Sequence, residues 1–305
     1  MNQLDAVIFD LGGVVLEWVP QRAFEQVMPR SEVPAFMDRI SFHDWNRTTD
    51  AGRSFAEAEA ELIGRFPDYS AAIRAYRTHY LRTLTGMVPG TPAVLAELGQ
   101  ANVPVMALTN WSAETFPLAR DRFGILGRFQ DIVVSGERQV AKPDPAIFEI
   151  ACQRWRFAPD RTIFVDDSPA NVAAANRFGL RGLLFTGADR LRDDLVGLAL
   201  LPPSQPVEAP VFHWALHTEW DQALASGRYP WSGRGLEYEA AGFVHCFFEN
   251  QLAQTRTRFY ADLTDSEVVL LRLDPAGLPF VIEEGFPHLF APLPVQAAEV
   301  TPLPR

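Results

Sequence analysis

Lysine is nearly absent from this chain. Of its 27 basic residues, 26 are arginine, and Lys142, in QVAKPDP (139–145), is the single exception. A coding bias toward arginine accounts for the 26. The exception still needs a reason, because a guanidinium is a wide planar fork and an ammonium a compact charge on a flexible stem. Cysteine is almost as scarce. Cys152 and Cys246 make no CxxC pair and no disulfide framework, which excludes a stapled secreted scaffold and fits a reducing cytoplasm. Basic charge is in deficit, net −11, and no basic patch is interleaved with aromatics. Nucleic acid and membrane surfaces are therefore not expected as partners. Long apolar runs are missing too. The N-terminal AVIFDLGGVVL carries Asp10 at its centre and lacks a basic lead-in, so it is no signal peptide, and no uncharged stretch is long enough to span a bilayer.

What is present is a rhythm. Short β-rich runs, AVIF (6–9), VPVMALT (103–109), DIVVS (131–135), TIFVD (162–166) and GLLFT (182–186), are apolar on consecutive positions, as strands buried on both faces of a parallel sheet must be. Between them fall helical patterns over 92–100, 113–123, 145–157, 169–178 and 189–198. Asp144 caps the third of these, with Pro145 in its first turn, and Gly179 closes the fourth. Alternating strands and helices predict a doubly wound, Rossmann-like α/β layer over residues 1–198. The interval 10–102 breaks the alternation with RAFEQVM (22–28), SFAEAEAELIGRF (54–66) and AAIRAYRTHYLRTL (71–84), Ser54 and Glu57 forming a capping-box pair. This reads as a helical cap, 16–88, inserted above the sheet.

Four prolines between 201 and 210 predict a stiff linker, 199–210. Strand and helix patterns then begin again: VFHWAL, TEWDQALASG, GFVHCFF, ENQLAQTRTRFY and EVVLLRLD. Residues 211–305 are expected to form a second, small α+β domain. Its own balance of 6 Arg against 12 acids disfavours an RNA substrate.

Ligands of open α/β sheets bind beyond the carboxyl ends of the strands. Asp10 leaves the first strand, Thr109-Asn110 the second and Asp166-Asp167 the fourth, while Lys142 follows the third just before a capped helix. Three acids, a hydroxyl, an amide and the sole lysine thus converge on one rim. Each alone is a weak signal, a single Asp after a strand being more often a helix cap; the ordered set points to chemistry. A carboxylate approaching a phosphate dianion needs cations to offset the repulsion, and Mg²⁺ takes the oxygen ligands such acids supply.

VIFDLGGVV, ALTNWS, AKPDPAIF and FVDDSPANV together resemble the four motifs of the haloacid dehalogenase-like hydrolases, mostly magnesium-dependent phosphatases, over about 1–198. The resemblance implies that Asp10 is a nucleophile that becomes an aspartyl phosphate. Thr109 and Asn110 hold phosphoryl oxygens, with Trp111 beside them as a packing residue or a substrate wall. Lys142 screens the charge, Asp167 ligates Mg²⁺ with Asp10, Asp166 and the Gly12 carbonyl, and Asn171 orients that shell or meets the substrate. The expected partner is a small phosphorylated metabolite, such as a sugar phosphate. A dehalogenase is the rival reading, but those relatives carry tyrosine where this chain has Gly12 and lack the paired acids.

One departure stands out. Family phosphatases usually place a second aspartate two residues after the nucleophile; here that position is Gly12. Its carbonyl remains, but the side chain that would protonate the leaving oxygen and activate water does not, and losing such help costs about 10²- to 10⁴-fold. Another residue or water serves, the substrate has a good leaving group, or the chain is a weakened enzyme that senses a phosphorylated metabolite. In the cap, the cluster His43-Asp44-Trp45-Asn46 either faces the pocket or closes a helix around a buried Trp.

In the second domain His213, His245 and His288 occupy strand-like positions, each readable as a satisfied core histidine; their spacing matches no standard zinc site. FHWAL…ASGRYP…GFVHCF…FPHLFAPLP resembles an uncharacterised bacterial domain family likened to the ADP-ribosyltransferase fold, where a strand histidine helps hold NAD. That resemblance implies an NAD-binding transferase as an alternative activity, although Phe247 stands where those relatives often have a hydroxyl residue.

Overall fold

A computed structural model describes residues 4–303. Five strands, β1 (Ala6–Phe9), β4 (Val105–Thr109), β5 (Ile132–Val134), β6 (Thr162–Asp166) and β7 (Arg181–Leu184), form one parallel sheet in the order β5-β4-β1-β6-β7. β1, β4 and β6 are buried at every position, because helices cover both faces. Ile8, Leu108 and Phe164 pack with Ile147 and Phe148 of the helix Pro145–Trp155 and with Ala174 and Ala175 of the helix Pro169–Phe178. Asp144 caps the first of these helices by accepting the Ala146 N–H at 2.9 Å, and Gly179, at φ 110°, closes the second.

The cap is helical, as expected, but its ends are not. β2 (Leu16–Trp18) and β3 (Leu84–Met87) pair antiparallel and close the insertion at its base. The pattern expected over 22–28 is helical only over Gln21–Phe24, and two further helices, Val33–Arg39 and Phe42–Asp50, follow before Phe55–Arg65, which Ser54 caps. Aromatic rings fill the cap: Phe24, Phe42, Trp45 and Phe55 all contact Tyr76.

The chain divides into two compact units, residues 1–91, 102–122 and 129–193 in one, and 92–101, 123–128 and 194–305 in the other. The helix Thr91–Gln100 and the turn Gly124–Arg128, expected in the first domain, thus fall almost wholly with the C-terminal residues. Inside that second unit Ala93 and Ala96 pack with Val281 and Phe290, and Arg128 binds Glu283 through two bonds of 2.9 Å.

The second unit carries a four-stranded sheet ordered β12-β8-β13-β16, made of β8 (Val211–Leu216), β12 (Phe247–Phe248), β13 (Val268–Leu273) and β16 (Glu299–Thr301). A three-stranded sheet joins β11 (Val244–His245), β15 (Phe286–Leu289) and β14 (Phe280–Glu283), and a ribbon joins β9 (Trp231–Gly233) to β10 (Leu236–Glu237). The run GFVHCFF, expected as one strand, is split at Cys246, so its halves serve different sheets. Among the described residues no helix is long and apolar enough to cross a membrane.

Candidate active site

The carboxyl ends of β1, β4 and β6 meet at the ammonium of Lys142. Its Nζ donates to Asp10 Oδ1 at 2.9 Å, to Asp166 Oδ2 at 2.7 Å and to the Leu108 carbonyl at 2.9 Å. Three acceptors from three strands match the three N–H bonds of an ammonium, and the side chain is fully buried. A planar guanidinium cannot fill that tripod, which is why this one basic position is not arginine. Burial opposes the charge, but Asp10 and Asp166 outweigh it and hold Lys142 above the usual lysine value.

Asp10 is nearly buried, and desolvation pushes its carboxyl up against the pull of Lys142. The Leu11 N–H, at 2.7 Å, and Lys142 both bond Oδ1, so Oδ2 carries neither donor. Asp166 is held by Asn171 Nδ2, 3.0 and 3.1 Å from its two oxygens, and by the Ser168 N–H at 2.9 Å. Asp167 is exposed, and burial of its surroundings together with Asp166 raises its carboxyl. Oxygens of Asp10, Asp166 and Asp167 all lie within 4.8 Å of one another.

The two glycines after the nucleophile differ. Gly13 has φ +74°, and a Cβ there would come 2.3 Å from Asp167 Oδ2, so only glycine fits. Around Gly12 a Cβ would meet no atom within 4 Å. Thr109 Oγ1 is buried and has no protein hydrogen-bond partner.

Two expected roles shift. Asn110 lines the cavity but also braces the lysine loop: Nδ2 donates to the Lys142 carbonyl and Oδ1 accepts the Lys142 N–H, both at 2.8 Å. Asn171, taken also as a substrate contact, is instead an orienting partner of Asp166. Trp111 packs edge-on against Tyr80 and Phe116 and lines the cavity. Of His43-Asp44-Trp45-Asn46, the first two are exposed and Trp45 is cap core, its Nε1 donating to the Ala58 carbonyl at 3.0 Å; only Asn46 reaches the cavity.

That cavity, about 270 Å³, lies within the first unit. Asp10, Gly12 and Asp167 form its sheet side, and Asn46, Asp50 and Tyr76 its cap side. Sequence reasoning missed Asp50. An aspartate ending a polar helix, NRTTDAG, carries no signal that distinguishes it from a solvated surface acid. Asn46 Nδ2 donates to Asp50 Oδ2 at 2.9 Å, the Ser112 backbone N–H adds a second bond, and burial pushes the carboxyl up to about 7.

The histidines of the second unit separate in the same way. His213 is fully buried between the His245 carbonyl (2.7 Å) and Tyr229 Oη (2.8 Å), and burial lowers it to about 4: it is a neutral core histidine. His245 and His288 face each other across β11 and β15, with Nδ1 atoms held by Ser232 (2.9 Å) and Glu283 (3.0 Å). Both line a cavity of about 480 Å³.

A doubly wound sheet, an acidic rim closed by one lysine and a helical cap inserted after the first strand define a capped α/β hydrolase. The family model for haloacid dehalogenase-like hydrolases matches residues 4–179, and the chain belongs to that family. A second model, described as a protein of unknown function (DUF952), matches residues 215–301. Hexitol phosphatase A of Escherichia coli is 30% identical over 174 residues, covering 54% of this chain and 75% of that protein. Protein CbbY of Cereibacter sphaeroides is 28% identical over 228 residues, 67% of this chain and 99% of its own length. Validoxylamine A 7'-phosphate phosphatase of Streptomyces hygroscopicus subsp. limoneus is 26% identical over 180 residues, 57% of this chain and 81% of that protein. Among solved structures, a predicted HAD-like family hydrolase from Porphyromonas gingivalis superposes with a TM-score of 0.51 at 19% identity, covering 67% of this chain and all of that one. A HAD family enzyme from Bacteroides thetaiotaomicron gives 0.50 at 19%, covering 61% and 95%.

Proposed function

We propose that this hydrolase is a phosphatase of small phosphorylated metabolites, sugar or polyol phosphates among them, working through a phosphoryl group carried on Asp10. The observation that supports it most is the buried ammonium of Lys142 bonded at once to Asp10 and Asp166. A fixed cation between acids is what a carboxylate needs to approach a phosphate dianion. The phosphatase names of two relatives point the same way, and a cavity of about 270 Å³ suits a small substrate.

Asp10 Oδ2 attacks phosphorus while Lys142 holds Oδ1. The orphaned hydroxyl of Thr109 donates to a phosphoryl oxygen, and Asn171 and Ser168 keep Asp166 in place. The carboxylates of Asp10, Asp166 and Asp167, with oxygens within 4.8 Å, make the hard all-oxygen donor set that suits Mg²⁺, with the Gly12 carbonyl as a further ligand. When bound, the ion supplies Lewis-acid neutralisation of phosphate charge. Acid-quenched protein after exposure to a labelled phosphomonoester should carry label on Asp10 only with Mg²⁺ present, and Asp10→Asn should carry none. Hydrolysis by Asp10→Asn at the wild-type rate would end this reading. A metabolite that raises the melting temperature without being turned over would favour a sensor instead.

The cavity beside His245 and His288 favours a second, separate reading, a ligand-binding role for the second unit, with NAD as the first candidate. Titration of the full chain with NAD, using His288→Ala as control, tests it; no saturable binding removes it.

A further inference from the structure

The phosphatase reading, on which this inference rests, needs a proton twice: one delivered to the departing oxygen, and one removed from the water that frees Asp10. Gly12 has no side chain to carry it. The titratable groups lining the cavity are Asp10, Asp50, Asp167, Tyr76 and Tyr80. Asp10 is the nucleophile, and Asp167 belongs to the acidic donor set. Burial drives Tyr76 and Tyr80 well above the ordinary tyrosine value, so each stays a fixed hydroxyl near neutrality. Asp50 remains.

Its placement is rigid. Asp50 ends the cap helix Phe42–Asp50, yet it is tied to loops at the carboxyl rim. The Ser112 N–H bonds its carboxyl, and Ser135 Oγ, which also accepts the Trp111 N–H at 2.9 Å, donates to its carbonyl. Two residues on, Gly52 at φ +99° lies so close to Gln139 and the Gly136 carbonyl that a Cβ would sit 2.9 and 3.0 Å from them. The turn 50–52 is therefore seated on the segment leading to Lys142. Asn46 and Ser112 together favour the ionised carboxyl and burial the neutral one, a balance that lets one group serve as acid and base in turn.

We propose that Asp50 is the proton carrier of this site. As Asp10 Oδ2 bonds phosphorus, the bond from phosphorus to the leaving oxygen breaks and that oxygen takes the Asp50 proton. Water then attacks phosphorus, its proton passes to the Asp50 carboxylate, and the bond between phosphorus and Asp10 breaks to return both aspartates to their starting states. Asp10, Asp167 and the two tyrosines are the titratable groups that share the cavity with Asp50; the charge of Lys142 is shared between Asp10 and Asp166.

The test compares full-length wild type and Asp50→Asn on p-nitrophenyl phosphate, whose leaving group departs unprotonated, and on glycerol 2-phosphate, whose leaving group does not. Asp50→Asn should lose about 10²-fold or more on glycerol 2-phosphate. On p-nitrophenyl phosphate it should give a stoichiometric burst of nitrophenolate, then slow turnover with phosphorylated Asp10 accumulating. Wild-type kcat on glycerol 2-phosphate should fall above about pH 7, and the variant should lack that limb. Because Gly12 faces open space, adding Gly12→Asp to Asp50→Asn should restore turnover, which repair of a purely structural defect would not do. Wild-type behaviour of Asp50→Asn on both esters, or equal loss of burst and steady state without rescue, overturns the assignment. If wild type itself forms no phosphate on Asp10, the phosphatase reading fails, and this assignment with it.

Discussion

Asn110 and Lys142 clasp each other side chain to backbone, through two reciprocal bonds of 2.8 Å. The residue after β4 thereby sets where the lysine loop stands, and the lysine side chain then sets where Asp10 and Asp166 stand. Asn110→Ala leaves a backbone N–H and a carbonyl without these partners. It is expected to cost about 1–3 kcal/mol of stability and at least about tenfold in kcat, through misplacement of Lys142. Urea unfolding and steady-state kinetics on p-nitrophenyl phosphate read the two effects separately.

Lys142→Met leaves Asp10 and Asp166 buried together without their cation. Breaking such a pair costs about 3–5 kcal/mol. The sign of the pH dependence follows from Asp10: burial already pushes its carboxyl up, and without Lys142 it takes up a proton still more readily folded than unfolded, so the variant should lose stability as pH rises from about 4 to 8. Lys142→Arg retains the charge but not the tripod and should not recover activity. Thermal melts across pH, with Asp10 phosphorylation as the activity readout, check both variants.

Gly12→Ala and Gly13→Ala are adjacent single-methyl changes with opposite expected outcomes. The first should be tolerated within about 0.5 kcal/mol, because open space surrounds it. The second combines a left-handed backbone with a clash against Asp167 and should cost about 1–3 kcal/mol while weakening Mg²⁺ activation. Chemical denaturation and the Mg²⁺ concentration for half-maximal rate distinguish them.

Glu283 supplies a pH test in the second unit. Burial would raise its carboxyl, but His288 and Arg128 outweigh it and bring it to about 2, below its ordinary 4.5. A depressed carboxyl stabilises above its unfolded value and loses that contribution as pH falls toward the folded one. The loss between about pH 5 and 2 should be on the order of 1–3 kcal/mol. Arg128→Ala should be less stable at pH 7 and flatter below pH 5, measured by urea midpoints at each pH.

The sheet was legible because buried parallel strands are apolar at consecutive positions: AVIF and TIFVD match β1 and β6 residue for residue. The caps at Asp144, Ser54 and Gly179 were legible because their chemistry is local. β2 and β3 were not, since three and four residues joined across the whole cap carry no period of their own. Asn110 and Asn171 stood at the right loops, but which atom each amide faces depends on a loop brought in from elsewhere. Asp50 was invisible for the same reason: its partners Ser112 and Ser135 lie far along the chain. In the second unit, strands of two to four residues fell below any pattern threshold.

The helix 91–100 sits early in the chain yet shares its apolar face with Val281 and Phe290. A polypeptide cut at the proline run near Pro202 would therefore emerge with a raw hydrophobic flank and with Arg128 deprived of its acid. Such a fragment should aggregate, and restoring it would take polar replacements at Ala93 and Ala96. What looks like a tail appended to a hydrolase is, for that helix, a packing partner inside one compact unit.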